Sequence, residues 1–295
     1  MRLSAVICSY GRPDVLDDTV ASLLRQTTLP QEILIVCPSA DHVRVRTLQR
    51  LRVRLLLSKR GLTIQRNCAL DNLGDADVVA FIDDDMELCD SYFANMLRLF
   101  AQDTELIVAS GRMLADGGRA DSITREQALA LCASAEGAAQ DPAPLATLPL
   151  DYGYGCNLIV RASVARKNRF DERLALYAWL EDSDFSYHCT LGKKSPVINL
   201  SAQCVHLGWR GSRISGLKMG YSQIINPFYL WQKARVFSLR HILVQYWMRC
   251  LVANCLGLLN GKPEEERASR LKGNLRAVWH LLNGHCDPMA VSQLQ

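Results

Sequence analysis

The chain has 295 residues, of which 49% are hydrophobic and 22% are charged, and its formal net charge is +4 at pH 7. This composition excludes a disordered or low-complexity protein and is sufficient for a large buried core. No signal peptide is recognisable after Met1 and Arg2, and the eleven cysteines form no C-x-x-C pair. Because most of them lie in apolar runs, we expect reduced thiols and a cytoplasmic location rather than a disulfide or zinc framework.

The charge is distributed unevenly along the chain. Residues 206–295 hold 12 Lys and Arg against 4 Asp and Glu, whereas residues 1–205 hold 22 against 26. A basic carboxy-terminal part can face nucleic acid or an anionic membrane, and an ordinary solvated surface explains it equally well. Charge alone therefore leaves the partner open.

Strand and helix patterns alternate over the first hundred residues. Short apolar runs predict strands at 3–9, 32–38, 53–58 and 78–82. Helical spacing predicts one helix that begins at Pro13 and three more at 41–51, from Gly61 to about Leu73, and at 91–100. Because the strands are apolar on both faces, they are typical of a parallel sheet covered by helices, and we predict a doubly wound α/β sheet.

The later part of the chain is less regular. Residues 114–150 predict one helix at 124–134 and a mobile loop, and regular patterning returns at 153–163. The apolar stretch 241–261 is compatible with a helix, and Arg249 within it argues against a membrane span. A buried core helix and a helix lying in the plane of a membrane both remain open. We expect three segments: 1–113, 114–235, and a basic, apolar helical extension at 236–295.

Polar residues follow three of the predicted strands. Cys8, Ser9 and Tyr10 follow the first, Cys37 ends the second, and Asp83, Asp84 and Asp85 end the fourth. Ligands of such sheets bind at the carboxyl ends of the strands, so these residues should line one crevice. Three adjacent carboxylates repel one another there, and a hard cation such as Mg²⁺ or Mn²⁺ would offset the repulsion. The alternative is ordinary acid capping of a helix.

A second acid cluster, Glu181 and Asp182, lies beside Trp179, Leu180 and Phe185. Partial desolvation by such neighbours raises the pKa of a carboxyl group, as a general base requires. A helix N-terminus with acidic residues in its first turn is the plain alternative. The chain contains neither a G-x-x-x-x-G-K-[ST] phosphate loop nor a G-x-G-x-x-G turn after its first strand, which weakens the ATPase and dehydrogenase interpretations.

Together these pieces resemble the inverting family 2 glycosyltransferases, which have the nucleotide-sugar-binding GT-A fold. The resemblance covers roughly residues 3–235, and its motifs occur in the family's order. They are ICSYGRP (7–13), GLTIQRNCAL (61–70), FIDDD (81–85), GCNLIVRAS followed by FDERLALYAWLEDSDFSYHCTLG (170–192), and VHLGWRGS (205–212).

The resemblance implies a role for each matching residue. Asp182 would be the base that deprotonates an acceptor hydroxyl, assisted by Glu181. The metal ligands would be Asp85, Asp83 and His206, with Asp83 and Asp84 also contacting the donor. The remaining donor-binding residues would be Cys8, Ser9, Tyr10, which would stack on the base, Arg12, Cys37 and Arg66, which would reach the diphosphate.

One departure from the family pattern affects the donor. The family often has an Asp after the second strand that contacts the nucleotide base, and Cys37 and Pro38 occupy that place here. UDP, dTDP and GDP sugars therefore all remain open as donors.

The leading hypothesis is a metal-dependent inverting transferase acting on a glycan or polyprenyl-linked glycan of a bacterial surface polysaccharide. Its basic end, with Arg235, Arg240 and Arg249 beside Trp231, Tyr246 and Trp247, would contact the anionic inner face of the cell membrane peripherally. A sugar-1-phosphate nucleotidyltransferase and a noncatalytic glycan-binding or assembly protein on the same fold are the alternatives. Nucleic acid is disfavoured because the predicted active half is net acidic.

Overall fold

The computed structural model describes residues 1–118, 121–137, 145–211, 214–259 and 264–294. Part of the predicted mobile loop, at 119–120 and 138–144, and residues 260 and 261 of the predicted helix lie outside the described residues. The chain forms two compact units. The sheet unit comprises Met1–Arg60, Ile64–Phe170 and Phe185–Ser212, and the helical unit comprises Gly61–Thr63, Asp171–Asp184 and Arg213–Gln295. The three segments predicted from sequence pattern have different boundaries and stay a prediction.

A mixed sheet of nine strands forms the centre of the sheet unit as described. The strands are β1 (Leu3–Cys8), β2 (Glu32–Cys37), β3 (Val53–Leu57), β4 (Val78–Asp83), β5 (Met86–Leu88), β6 (Val108–Asp116), β7 (Thr147–Pro149), β8 (Asn157–Arg161) and β9 (Val197–His206). Their order is β3-β2-β1-β4-β8-β6-β9-β5, with β7 paired to β9. The first four strands pair in parallel, β8 runs antiparallel to β4 and β6, and β6 is parallel to β9. The four strands predicted in the first hundred residues are confirmed.

Helices cover the sheet. They are α1 (Pro13–Leu24), α2 (Val45–Leu48), α3 (Leu62–Asp71), α4 (Tyr92–Gln102), α5 (Arg125–Gly137), α6 (Ala162–Ala165) and α7 (Glu181–Thr190). The helix predicted at 41–51 is shorter, because only a 3₁₀ turn at Ala40–His42 and α2 form there. Arg52 has φ 72°, so the chain leaves helical geometry immediately before β3.

The core lies on both faces of the sheet. Leu3, Ala5 and Ile7 of β1 pack in one cluster with apolar residues of α1 and α4. Val6 points to the opposite face, where Phe170 and Phe185 stack with ring centroids 3.9 Å apart. Alternation with period two along a strand buried on both sides produces this arrangement. The predicted doubly wound α/β class is confirmed.

The helical unit is built from the carboxy-terminal part of the chain. Its elements are α8 (Gly216–Ala234), α9 (Leu239–His241), a π-helical segment (Ile242–Met248), α10 (Arg249–Leu259), α11 (Glu264–Leu282) and a 3₁₀ turn at Pro288–Gln293. In α8, Gly220 lies so close to α11 that an added Cβ would be 2.0 Å from the Arg270 carbonyl oxygen. Gly273 of α11 likewise approaches Leu217, and the Asn274 amide donates to the Gly220 oxygen at 2.7 Å. The predicted helical extension is therefore confirmed.

Within the described parts of the chain, none of the helices has the length and low charge needed to cross a bilayer. The stretch predicted as one helix from 241 onward is divided between the π-helical segment and α10.

Candidate functional site

The carboxyl ends of three parallel strands meet at one edge of the sheet. Cys8, the last residue of β1, pairs in register with Asp83 of β4 and with Val36 of β2. The Ser9 N–H then donates to the Val36 oxygen at 3.0 Å. The strand register thus confirms the prediction that the residues at the ends of β1, β2 and β4 share one edge of the sheet.

The three aspartates do not point the same way. Asp83, Asp85 and His206 each offer one ligand atom, and these atoms all lie within 4.8 Å of one another. Asp84 lies between the two ligands in sequence and forms contacts with Ser9 and Arg12 instead. The structure therefore brings together the three residues predicted as metal ligands and separates Asp84 from them.

Asp85 is buried and contacts four residues, three through its carboxylate and one through its main-chain carbonyl. Its Oδ2 accepts from the Trp209 backbone N–H at 2.8 Å, and its Oδ1 lies 3.3 Å from His206 Nε2. The Arg12 Nη1 lies 3.7 Å away, and the Asp85 carbonyl accepts from the Leu207 N–H. Burial acts to raise the pKa of Asp85, but the hydrogen bond and charge of His206, the charge of Arg12 and the hydrogen bond from the Trp209 N–H outweigh it and lower the pKa. Asp85 therefore keeps its negative charge despite its burial.

His206 ends β9 between two carboxylates. Its Nδ1 lies 2.8 Å from Asp116 Oδ1, on the side opposite Asp85. Burial acts to lower the pKa of His206, but the hydrogen bonds to Asp116 and Asp85 raise it to about 10. Without a cation the imidazole is therefore protonated at neutral pH, and its charge offsets part of the repulsion among the acids.

Asp116 is a residue of the candidate site that the sequence interpretation missed. It ends β6, opposite His206 in the register of β6 with β9. Its Oδ2 accepts from the Tyr154 hydroxyl at 3.0 Å, and its Oδ1 accepts from the Gly118 N–H at 2.9 Å. Burial acts to raise the pKa of Asp116, but the bond with His206 lowers it to about 2. In the sequence, Asp116 could be noticed only as an Asp directly before Gly117-Gly118, in a stretch whose pattern predicts irregular structure.

Asp84 is fully buried and shows how the chain tolerates three adjacent acids. Its Oδ2 accepts from the Ser9 hydroxyl at 2.6 Å, and its Oδ1 lies 2.6 Å from Arg12 Nη2. Burial nevertheless raises its pKa, with the Asp85 charge adding to the rise and Arg12 opposing it. Arg12, predicted as a donor-binding residue, here holds Asp84 and approaches Asp85. Arg12 and protonated His206 are thus two of the cations that offset the acid cluster, and Arg66, 3.5 Å from Asp83, is a third.

The other predicted donor-binding residues have their own contacts. The Tyr10 ring lies 4.9 Å from the His42 ring and 3.9 Å below the Arg60 guanidinium. Burial raises the pKa of the Cys8 thiol to about 12 and also raises that of Cys37, whose thiol donates to the Ser39 oxygen at 3.0 Å. Both cysteines are therefore neutral, and neither offers an anionic ligand.

Arg66 is almost fully buried, at 2% side-chain exposure. Its Nη2 donates to the Gly155 oxygen at 2.8 Å and lies 3.5 Å from Asp83 Oδ1. The guanidinium also lies 5.2 Å from the Phe170 ring centroid. Arg66 therefore forms an ion pair with Asp83 from a buried position. Its predicted contact with a diphosphate stays a prediction.

Glu181 and Asp182, the predicted catalytic pair, belong to the helical unit and begin α7. Asp182 is half-buried, whereas Glu181 is buried. The Asp182 Oδ1 accepts from the Ser183 N–H at 2.7 Å, which is a local contact at the helix start. Of the two carboxylates, Asp182 is the more accessible.

Contacts within the helical unit fix the segment that carries this pair. Lys233 Nζ of α8 lies 2.8 Å from both Asp171 Oδ2 and Asp184 Oδ2. The Tyr229 hydroxyl donates to Asp171 at 2.7 Å, and the Asn226 amide donates to the Trp179 oxygen at 2.8 Å. The segment Asp171–Asp184 therefore contacts α8 at residues that precede and follow the predicted base in the chain.

Comparison with known families identifies the family of the chain. The family model described as glycosyl transferase family 2 matches residues 4–198, which is more than half of the chain. The chain therefore belongs to glycosyl transferase family 2, an inverting family of the GT-A fold whose members transfer a sugar from a nucleotide-sugar donor. The predicted family and enzyme class are confirmed. No curated protein matches the chain.

Solved structures show the same fold at low sequence identity. Residues 1–349 of TarS from S. aureus are 16% identical, with a TM-score of 0.58 over 96% of this chain and 83% of that one. The mannosyltransferase PcManGT from Pyrobaculum calidifontis, in complex with GDP-Man and Mn²⁺, is 12% identical, with a TM-score of 0.57 over 94% and 87%. GalNAc-T7 with UDP, GalNAc and Mn²⁺ is 13% identical, with a TM-score of 0.53 over 89% and 58%. These matches confirm the predicted GT-A fold.

Proposed function

We propose that this member of glycosyl transferase family 2 moves one sugar from a nucleotide diphosphate to a hydroxyl of a glycan or lipid-linked glycan, with a divalent cation at Asp83, Asp85 and His206. The observation that carries the proposal is the convergence of these three ligand atoms at the carboxyl edge of the parallel strands. Nucleotides bind at this edge in open α/β sheets.

The chemistry of the donor set supports a divalent cation. Carboxylate oxygens suit Mg²⁺ and Mn²⁺, whereas an imidazole ligand favours a transition metal. Two carboxylates and one imidazole therefore fit Mn²⁺ better than Mg²⁺. Such an ion, when bound, neutralises charge on the oxygens of the leaving diphosphate. The chain itself orients the ligands: the Trp209 backbone N–H fixes Asp85, and Asp116 fixes His206 through its Nδ1.

Asp182 is our proposed general base, with Glu181 assisting. An inverting displacement in one step needs one base on the acceptor side. Two observations support this role. Asp182 is half-buried, and its segment is held in place by the Lys233–Asp184 ion pair and by the hydrogen bond from the Asn226 amide to the Trp179 oxygen. A noncatalytic protein on this fold has no need of these acids, and all of them are present in the chain.

The proposal also specifies the class of donor and the pathway. Fold neighbours contain GDP-Man with Mn²⁺ in one case and UDP with Mn²⁺ in another, and we propose a UDP, dTDP or GDP sugar here. We further propose an acceptor linked to polyprenyl diphosphate in bacterial surface polysaccharide synthesis, at the cytoplasmic face of the membrane. The basic carboxy-terminal part of the sequence supports that placement.

Turnover assays test the proposal. UDP, dTDP and GDP sugars are each supplied with Mn²⁺, with polyprenyl-diphosphate oligosaccharides or with water as acceptor, and nucleotide release is measured. One donor should be consumed, with inversion at the anomeric carbon of the product. Asp182→Asn should lower kcat by about 100-fold or more, because a positioned general base contributes that much. The matched control Glu172→Gln removes an exposed acid of the same segment and should leave kcat unchanged. An Asp182→Asn variant with wild-type kcat would contradict the assigned base.

A further inference from the structure

Large apolar side chains are exposed along two helices of the helical unit. On the π-helical segment and α10 they are Leu243, Val244, Met248, Val252 and Leu256, and on α11 they are Leu275, Trp279 and Leu282. Trp279 is 62% exposed and Leu282 is 82% exposed. Such a concentration on neighbouring elements marks an interaction surface rather than scattered surface residues. We call these eight side chains the apolar face.

Their spacing places them on one side of each helix. Val244, Met248, Val252 and Leu256 recur every four residues, and Leu275, Trp279 and Leu282 follow an i, i+4, i+7 pattern. On α10 the buried residue between Val252 and Leu256 is Asn254. The apolar face is therefore the solvent side of an amphipathic pair.

The inner side of the same pair contains a buried polar cluster. The Asn254 amide of α10 donates to Asn274 Oδ1 of α11 at 2.8 Å, and Arg267 Nη1 donates to Asn254 Oδ1 at 3.3 Å. Ala277, Val278 and Leu281 of α11 also pack on the apolar core of the helical unit, so α11 carries apolar residues on its outer as well as its inner side. Outward apolar residues need a covering partner.

The charge around the apolar face is positive. Residues 214–259 of the helical unit contain five Lys or Arg and no Asp or Glu. Arg240 and Arg249 are exposed beside the residues of α10, and Lys272 and Arg276 are exposed beside Trp279 on α11. The acids of α11 are confined to its first turn, at the end opposite Trp279.

The aromatic residues that the sequence suggested as membrane anchors have other contacts. Tyr246 is buried, and the Trp247 indole N–H donates to the Ile224 oxygen at 3.1 Å. The Trp231 ring is covered by the Arg235 guanidinium at 3.8 Å. A membrane contact made by these helices would therefore use the apolar face, with Trp279 as its exposed aromatic residue.

We propose that the apolar face inserts into the headgroup region of an anionic lipid bilayer, while Arg240, Arg249, Lys272 and Arg276 contact the lipid phosphates. An outward apolar stripe flanked by Lys and Arg, with an exposed Trp, is the combination by which helices lie in a membrane interface. Charge complementarity selects the bilayer over a second copy of the chain, because two copies would place like charges against each other. The proposal concerns where the protein binds and does not depend on the proposed catalytic chemistry.

Vesicle flotation of the full chain tests the proposal. Vesicles of phosphatidylcholine with phosphatidylglycerol should carry the protein, and vesicles of phosphatidylcholine alone should carry much less. Val252→Glu with Trp279→Glu should abolish flotation. The matched control Val45→Glu with Leu51→Glu alters two exposed apolar residues of the sheet unit and should float as the wild type does. Arg249→Gln and Arg276→Gln should each weaken binding by about fivefold, since each cation near the surface contributes about that factor.

A second measurement is independent of the folding of these variants. Lipids brominated on their acyl chains should quench the tryptophan fluorescence of the wild type, and Trp279→Phe should remove most of that quenching. The proposal is overturned if the wild type does not float on anionic vesicles, or if the Glu variant floats unchanged. It is also overturned if the wild type self-associates in analytical ultracentrifugation and the Glu variant does not, because the apolar face would then be an interface between copies.

Discussion

Lys233 provides the sharpest test of how the predicted base is positioned. Its ammonium lies 2.8 Å from Asp171 and 2.8 Å from Asp184, and the Asp184 side chain is only 2% exposed. Lys233→Met leaves the buried Asp184 carboxylate without this cation. Removing one partner of a buried ion pair costs about 3–5 kcal/mol. Because Lys233 keeps 28% of its side chain in solvent, we expect a cost below that range, about 2–3 kcal/mol.

Thermal unfolding followed by circular dichroism measures this loss. A destabilisation of about 2–3 kcal/mol should lower the unfolding midpoint by roughly 5 °C or more in a chain of this size. Lys194→Met is the matched control, because Lys194 pairs with Asp103 at an exposed position and such a pair contributes less than about 1 kcal/mol. Lys233→Met should also lower kcat through the Asp171–Asp184 segment and leave nucleotide binding unchanged.

A double variant separates the buried charge from the loss of packing. Lys233→Met with Asp184→Asn removes the uncompensated carboxylate and should recover at least half of the lost midpoint. A Lys233→Met variant that unfolds within about 1 °C of the wild type would refute the reasoning. So would a double variant that is no more stable than the single one.

Gly220→Ala places a Cβ 2.0 Å from the Arg270 carbonyl oxygen, so it should destabilise the α8–α11 packing by about 2 kcal/mol or more. Gly137→Ala, whose Cβ would meet nothing within 4 Å, should be neutral or stabilising by up to about 1 kcal/mol in the same thermal assay. The metal-free pKa of His206 is raised to about 10, so Mn²⁺ must displace a proton below that pH. The association constant should therefore rise by about tenfold per pH unit between roughly pH 6 and 8, and pH-independent Mn²⁺ titrations would contradict His206 as a ligand.

The sequence predicted the parallel half of the sheet because its strands are short, apolar runs bounded by turn residues. It also predicted Asp83, Asp85 and His206 as a group, since the first two end a strand and the third follows from the family motif. Asp116 was missed because its strand, β6, pairs with β9 through register shifts and reads as an irregular segment. Only the pairing of the two strands places Asp116 opposite His206.

The carboxy-terminal part was harder to predict for a related reason. An apolar helical stretch can be buried or exposed, and its sequence alone does not say which side faces solvent. The polar contact of Asn254 with Asn274 decides the orientation and leaves Val252 and Leu256 outside. Tyr246 and Trp247, suggested as membrane anchors, pack inward instead.

Calorimetric titration of UDP, dTDP and GDP, each with and without Mn²⁺, is the measurement that tests the central claim most directly. It is made on the wild type and on Asp85→Ala, with Asp121→Ala as a control at an exposed acid. One nucleotide should bind the wild type and the control only when Mn²⁺ is present, and Asp85→Ala should lose that binding. If no nucleotide binds in either condition, or if binding survives in Asp85→Ala, then Asp83, Asp85 and His206 do not form the metal site of a donor complex.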